Sequence, residues 1–224
     1  MFAFPTAPIE PRVFFEETIP KLFGDLKLDE RERSVNLKVG VVLTSAADGP
    51  QSAEWTLHFA DGDLHVLAGR ETDCDLTIVQ RVTDWRSALW EGRPGLIADG
   101  VAALIQSGPA AFRPAGVEVG GGHPEALKGL GDLRGLIEAV IADRAEDEAE
   151  DRDDWRIGIQ LGPGPISETP DATIELGAEQ AEAMRRGELH PVEALITGQL
   201  RLEGDLGLII QLQAIAMMAS PTPS

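Results

Sequence analysis

Residues 170–217, PDATIELGAEQAEAMRRGELHPVEALITGQLRLEGDLGLIIQLQAIAM, decide the fold. Ala172–Leu176 carries the β-branched and alternating pattern of a strand, and 178–189 has the spacing of an amphipathic helix that ends at Gly187. A second strand pattern follows at 200–204. The segment from Leu206 onward is apolar almost all round, and such a helix is either enclosed by protein or faces an apolar ligand.

Bulk composition narrows the function. The chain has 224 residues, enough for one large domain or two smaller ones that each bury a core. An apolar content of 43% excludes a wholly disordered chain. Nineteen basic against 38 acidic residues give a net charge of -19, which repels phosphate backbones and anionic headgroups. Nucleic acid is therefore excluded as a partner, and any membrane contact is expected to be transient and hydrophobic. The lone Cys74 makes no internal disulfide, and the first twenty residues lack a basic and then apolar leader pattern. No apolar run reaches membrane-spanning length. A cytoplasmic location is the expectation.

A repeat runs along the chain. Trp55 opens WTLHFADG and Trp155 opens WRIGIQLGPG, and each is an alternating strand with the Trp and the following apolar residues on one face. Turn residues and a short strand are expected after each, and then CDLTIV (74–79) or PDATIEL (170–176). Ile78 precedes Gly92 by fourteen positions and Ile174 precedes Gly187 by thirteen. Each interval holds an amphipathic helix closed by glycine. The copies are unequal: FFEETIPKLFGDL (14–26) and the strand NLKVGVVLTS (36–45) precede the first Trp. Before the second, the apolar spacing of Leu133, Leu136, Ile137, Val140 and Ile141 predicts a helix.

Between the copies, Gly108–Pro124 is rich in glycine and proline and reads as a linker. The organisation expected is repeat 1 over 1–108, linker over 109–124 and repeat 2 over 125–224. The seven carboxylates from Glu146 to Asp154 read as a solvated run, because the D-x-D-x-D-G pattern of a calcium loop is missing. No histidine has a metal-ligand partner at the right spacing: His58 alternates out of phase with Trp55, and His190 before Pro191 marks a helix start. The GGGH of 120–123 lacks the G-K-[ST] of a phosphate loop, and no G-x-S-x-G elbow is present. Cys74 lies between Asp73 and Asp75, which disfavours a thiolate. The expectation is a non-enzymatic protein with no catalytic residues, metal or cofactor.

The D-x-T-I of 171–174, the R-R-G-E-L of 185–189 and the L-R-L-E-G-D-L of 200–206 resemble the C-terminal half of the sterol carrier protein type-two family. The resemblance is strongest over Trp155–Met218, good over Phe14–Gly92 and absent over 109–125. It implies an α+β fold, a sterol-carrier-like mixed β-sheet covered by helices, here with two unequal repeats packed together. It also implies an apolar tunnel between the sheet and the C-terminal helix. Mapped onto this chain, the lipid-binding residues it implies are Trp55, Leu57 and Phe59 in the first copy and Trp155, Ile157 and Ile159 in the second. Met184, Leu195 and the lid residues Leu206, Ile209, Ile210, Leu212, Ile215 and Met217 complete the set. Members of the family are single domains of about half this length, and the first copy lacks the terminal apolar helix. Either that helix closes one tunnel shared by both halves, or the first copy is a packed scaffold and only the second binds. The partner implied is a hydrophobic small molecule or lipid: a fatty acyl chain, a sterol-like molecule or an isoprenoid. An accessory role holding a quinone or acyl intermediate for partner enzymes is the alternative, and a lipid-modifying enzyme the third.

Overall fold

The computed structural model describes residues 3–28, 30–45, 53–95, 132–142 and 154–211. Eight strands form one sheet: β1 (Leu37–Thr44), β2 (Ala53–Ala60), β3 (Asp63–Ala68), β4 (Leu76–Arg81), β5 (Gly135–Ala142), β6 (Trp155–Leu161), β7 (Ala172–Gly177) and β8 (Leu200–Gly204). Their order across the sheet is β3-β2-β1-β4-β6-β5-β7-β8. β1 runs parallel to β4 and β5 parallel to β7, while every other neighbouring pair is antiparallel. This is the expected α+β class, a mixed sheet with helices packed on one face.

One expectation fails at the centre of the sheet. The apolar run that predicted a helix from Leu133 forms strand β5, bonded to β6 on one side and β7 on the other. Its three-and-four spacing arises because an interior strand buries both faces: Ile137 is buried on one, Leu136 and Val140 on the other. A short apolar run of that kind has no periodicity that separates strand from helix. The second half of the sheet therefore has a strand placed as β1 is in the first, antiparallel to one neighbour and parallel to the other, and 143–153 lie outside the described residues. A second difference concerns the short strand expected after the second Trp strand. Residues 162–171 form no strand; Pro163 and Pro165 have no N–H to donate, and Gly162 and Gly164 take positive φ. The edge of β6 that such a strand would cover is occupied by β4 of the first half.

The halves share a clamp. Asp75 Oδ2 accepts from the Lys38 main-chain N–H at 2.7 Å while the Asp75 N–H donates to the Lys38 carbonyl at 2.9 Å. Asp171 repeats this on Leu136, at 2.7 and 2.8 Å. Trp55 pairs with Val41 and Trp155 with Ile141. Val41 lies three positions after Lys38 and Ile141 five after Leu136, so the second Trp stands two residues further along its strand.

Helical residues 11–24, 82–91, 178–185, 191–196 and 206–211 lie among the described segments. Gly92 at φ 69° stops the second and Gly187 at φ 71° follows the third, as left-handed caps require. Pro191 opens the fourth, where its missing N–H costs nothing, and His190 Nδ1 accepts from the Val192 N–H at 3.2 Å.

The first half is filled by aromatic rings. Phe15 stacks on Trp55 with centroids 4.8 Å apart, Phe14 meets Trp85 edge-on at 5.2 Å, and Trp85 meets Trp90 edge-on at 5.1 Å. Such pairs add about 0.5–1.5 kcal/mol each beyond area burial. Val41, Leu43 and Leu57 supply the floor beneath them.

Candidate functional site: an apolar band on the second half of the sheet

Register and alternation define which side chains share the helix-covered face. On that face β6 presents Trp155, Ile157, Ile159 and Leu161; β5 presents Ile137, Ala139 and Ile141; β7 presents Ala172, Ile174 and Leu176; β8 presents Leu200 and Leu202. They form rows across the strands. In the row Ile159–Ile137–Ala172, Ile137 and Ala172 are buried and Ile159 packs against them, all beneath Leu208 and Ile209 of the 206–211 helix, with Leu133 and Leu161 completing the cluster. In the row Trp155–Ile141–Leu176, Trp155 and Leu176 are again buried. Between them runs Ile157–Ala139–Ile174–Leu202, and all four are only half-buried. Ala139 is the small member, flanked by two isoleucines.

The expected site residues separate into groups. Trp55 and Leu57 are buried and Phe59 packs at the margin of the same first-half cluster, on β2, with β1 and β4 between it and β6. Trp155, Ile157 and Ile159 lie along β6 and border the band. Met184 is half-buried on the 178–185 helix and Leu195, at 44% exposure, lies on the 191–196 helix. Within 206–211, Ile209 is buried at 4%, whereas Leu206 and Ile210 are exposed at 48% and 63%. Leu212, Ile215 and Met217 lie outside the described residues. Val192 and Ile196 join Leu195 as exposed apolar side chains on one short helix.

Sequence reasoning missed Ala139 and Ile141, because the run from Leu133 predicted a helix, and it missed Ile174 and Leu202 although 172–176 and 200–204 read as strands, because only the pairing with β5 brings them into one row. It also missed Gln80. The eight strands turn one polar amide toward this face, that of Gln80 on β4; the other described strand residues there are apolar or glycine, counting tryptophan as apolar.

Among the described residues no group of three His, Cys, Asp or Glu side chains is placed to hold a metal ion. Cys74 is fully buried, its thiol donates to the Glu71 carbonyl at 3.1 Å, and burial pushes its pKa up. His58 lies on the opposite face, paired with His65 and 3.1 Å from Asn36 Oδ1. No described helix is long and apolar enough to cross a membrane.

The second half of the sheet thus presents an apolar, charge-free band on its helix-covered face. Residues 149–217 match the model of the SCP-2 sterol transfer family. Among solved structures, sterol carrier protein 2 from Yarrowia lipolytica is similar at 17% identity and a TM-score of 0.29, covering 61% of this chain and 99% of its own. Sterol carrier protein 2 like 2 from Aedes aegypti is similar at 11% identity and a TM-score of 0.19, covering 91% and 90%. A conserved hypothetical protein from Thermus thermophilus, described as possibly a sterol carrier protein, is similar at 16% identity and a TM-score of 0.27, covering 50% and 89%. No curated protein matched the chain.

Proposed function

We propose that this protein binds a hydrophobic ligand, a fatty acyl chain, sterol-like molecule or isoprenoid lipid, on the band Ile157–Ala139–Ile174–Leu202, and carries or presents it chemically unchanged. The observation that supports this most is the contrast between halves. The first half lays Phe14, Phe15, Trp85 and Trp90 over its face and leaves the row Leu37–Phe59–Leu64 half-buried at its margin, whereas in the second half the half-covered row runs across all four strands. Of the two arrangements the sequence left open, a packed first half with a single binding second half fits better. The driving force is burial of ligand surface at about 25 cal/mol per Å², so selectivity among hydrophobes of similar length is modest. Trp155 and the 206–211 helix flank the band along its two sides.

Native mass spectrometry of protein purified from cells tests this reading. A retained lipid supports it; a retained lipid together with co-purifying enzymes favours presentation to those enzymes over free carriage. Ala139→Trp puts a bulky ring in the middle of the band and should abolish uptake of a fluorescent fatty acid while the far-ultraviolet circular dichroism stays unchanged. Uptake undiminished in a folded Ala139→Trp variant overturns the placement on this band.

A further inference from the structure

Gln80 is 7% exposed, yet among the described residues its Nε2 has no hydrogen-bond partner. Its main chain is ordinary strand, with the carbonyl accepting from Thr44 Oγ1 at 3.4 Å. A buried amide without a partner destabilises a fold, and an apolar side chain of the same size would avoid that penalty. Gln80 lies two residues beyond Ile78 on the same face of β4, and Ile78 pairs with Ile159 of β6. Ile157 is the next residue of β6 on that face. The amide thus stands at the end of the row Ile157–Ala139–Ile174–Leu202, on the side of the first half. No strand residue on this face carries a charge, so the amide is the polar group the strands offer there.

We infer that Gln80 is the polar anchor of the bound lipid: its Nε2 donates to an acceptor oxygen at the ligand's head, and the apolar chain runs from there across Ile157, Ala139 and Ile174. This rests on the lipid-binding reading above and adds a ligand class. The ligand carries a carbonyl, carboxyl or hydroxyl oxygen at one end and is not a pure hydrocarbon. A carboxylate would accept a stronger, charge-assisted bond from the amide than an alcohol does, but on a strand face that offers no cation its burial also costs more, so head-group charge is not what this site selects.

Oleic acid, oleyl alcohol and (Z)-9-octadecene share a chain and differ at the head. Each is titrated against wild-type protein and Gln80→Leu by displacement of 1-anilinonaphthalene-8-sulfonate. In the wild type the alcohol should bind about tenfold more tightly than the alkene, the size of one buried hydrogen bond. Gln80→Leu should weaken the alcohol and the acid about tenfold, leave the alkene within about twofold and raise the melting temperature. Equal affinities of wild type and variant for all three ligands overturn the anchor while leaving the lipid-binding reading intact, provided Ala139→Trp still abolishes uptake. A Gln80→Leu variant that unfolds identifies the amide as a structural group and overturns the anchor too. If the wild type takes up none of the three, the lipid-binding reading fails and the anchor with it.

Discussion

The indole N–H of Trp155 donates to the main-chain carbonyl of Asp84 at 3.0 Å, across 71 residues of chain, and ties the second half of the sheet to the helix that caps the first. The Asp84 carboxylate completes the junction. It takes Arg81 Nε at 2.6 Å and Nη2 at 2.9 Å, and the Arg156 main-chain N–H at 3.4 Å. The two Trp residues that look alike in sequence therefore do different work: Trp55 reaches inward to Glu16 within its own half, at 3.2 Å, and Trp155 reaches across the seam.

The seam predicts that neither half folds alone. Residues 1–108 would carry β4 with an open edge and 125–224 would carry β6 with one, each having lost the ladder that joins them. Asp84→Ala in the full chain should cost about 2–4 kcal/mol, because it strips a buried carboxylate from Arg81 and from β6. Urea melts of the variant and of both fragments check this, and two cooperative fragments would refute it.

The matched clamps predict matched losses. Asp75→Ala frees the Lys38 N–H and Asp171→Ala frees the Leu136 N–H, each of which bonds to a carboxylate at 2.7 Å. Each substitution should cost about 1–3 kcal/mol, and because the two sites share no partner the double variant should lose close to the sum. A marked departure from additivity in chemical denaturation would show the clamps to be coupled.

The 206–211 helix distinguishes two adjacent isoleucines. Ile209→Glu puts a carboxylate into the cluster with Leu133, Ile137, Leu161 and Ala172, and should destabilise by more than about 3 kcal/mol. Ile210→Glu, at a position 63% exposed, should stay within about 0.5 kcal/mol. Thermal melts of the two variants are sufficient to compare them, and equal losses would contradict the orientation described.

Acid should weaken the fold through Glu16. Arg12 first, and then the Trp55 indole, hold its carboxyl below the usual carboxylate range; Lys38 does the same for Asp73, and Arg185 for Glu182. A folded-state value below the unfolded one gives stability that is present above the unfolded pKa and lost as pH falls through the folded one. The urea midpoint should thus hold level from pH 7 down to about pH 5 and then decline. Glu16→Gln should show a shallower decline, and an unchanged slope would remove Glu16 from the account.

Contact with membranes is predicted to be hydrophobic. With a net charge of -19 and Val192, Leu195, Ile196 and Ile210 exposed, any association with anionic vesicles should strengthen or hold as salt rises, since screening removes repulsion. Vesicle co-sedimentation between low and high salt measures it, and a steep loss with salt would reveal a basic face.

Much of the local structure was legible in the sequence. The alternation after Trp55 and Trp155 assigned the inward face correctly, Gly92 and Gly187 marked helix ends, and the 171–206 motifs indicated the family matched over 149–217. These are local properties: period two fixes a face, and a positive φ fixes a glycine, whatever lies elsewhere in the chain. Tertiary structure decided the rest. Whether Leu133–Ile141 became helix or strand depended on β6 and β7 being present to bond it on both sides. Which strand covered the edge of β6 depended on β4, seventy-odd residues away in the chain. Gln80 became a lone amide on an apolar face, and Ile209 parted from Ile210, only when the two halves joined and the 206–211 helix settled on the sheet. Strand pairing and burial are set by which distant segments meet, and no periodicity within one segment records its partner.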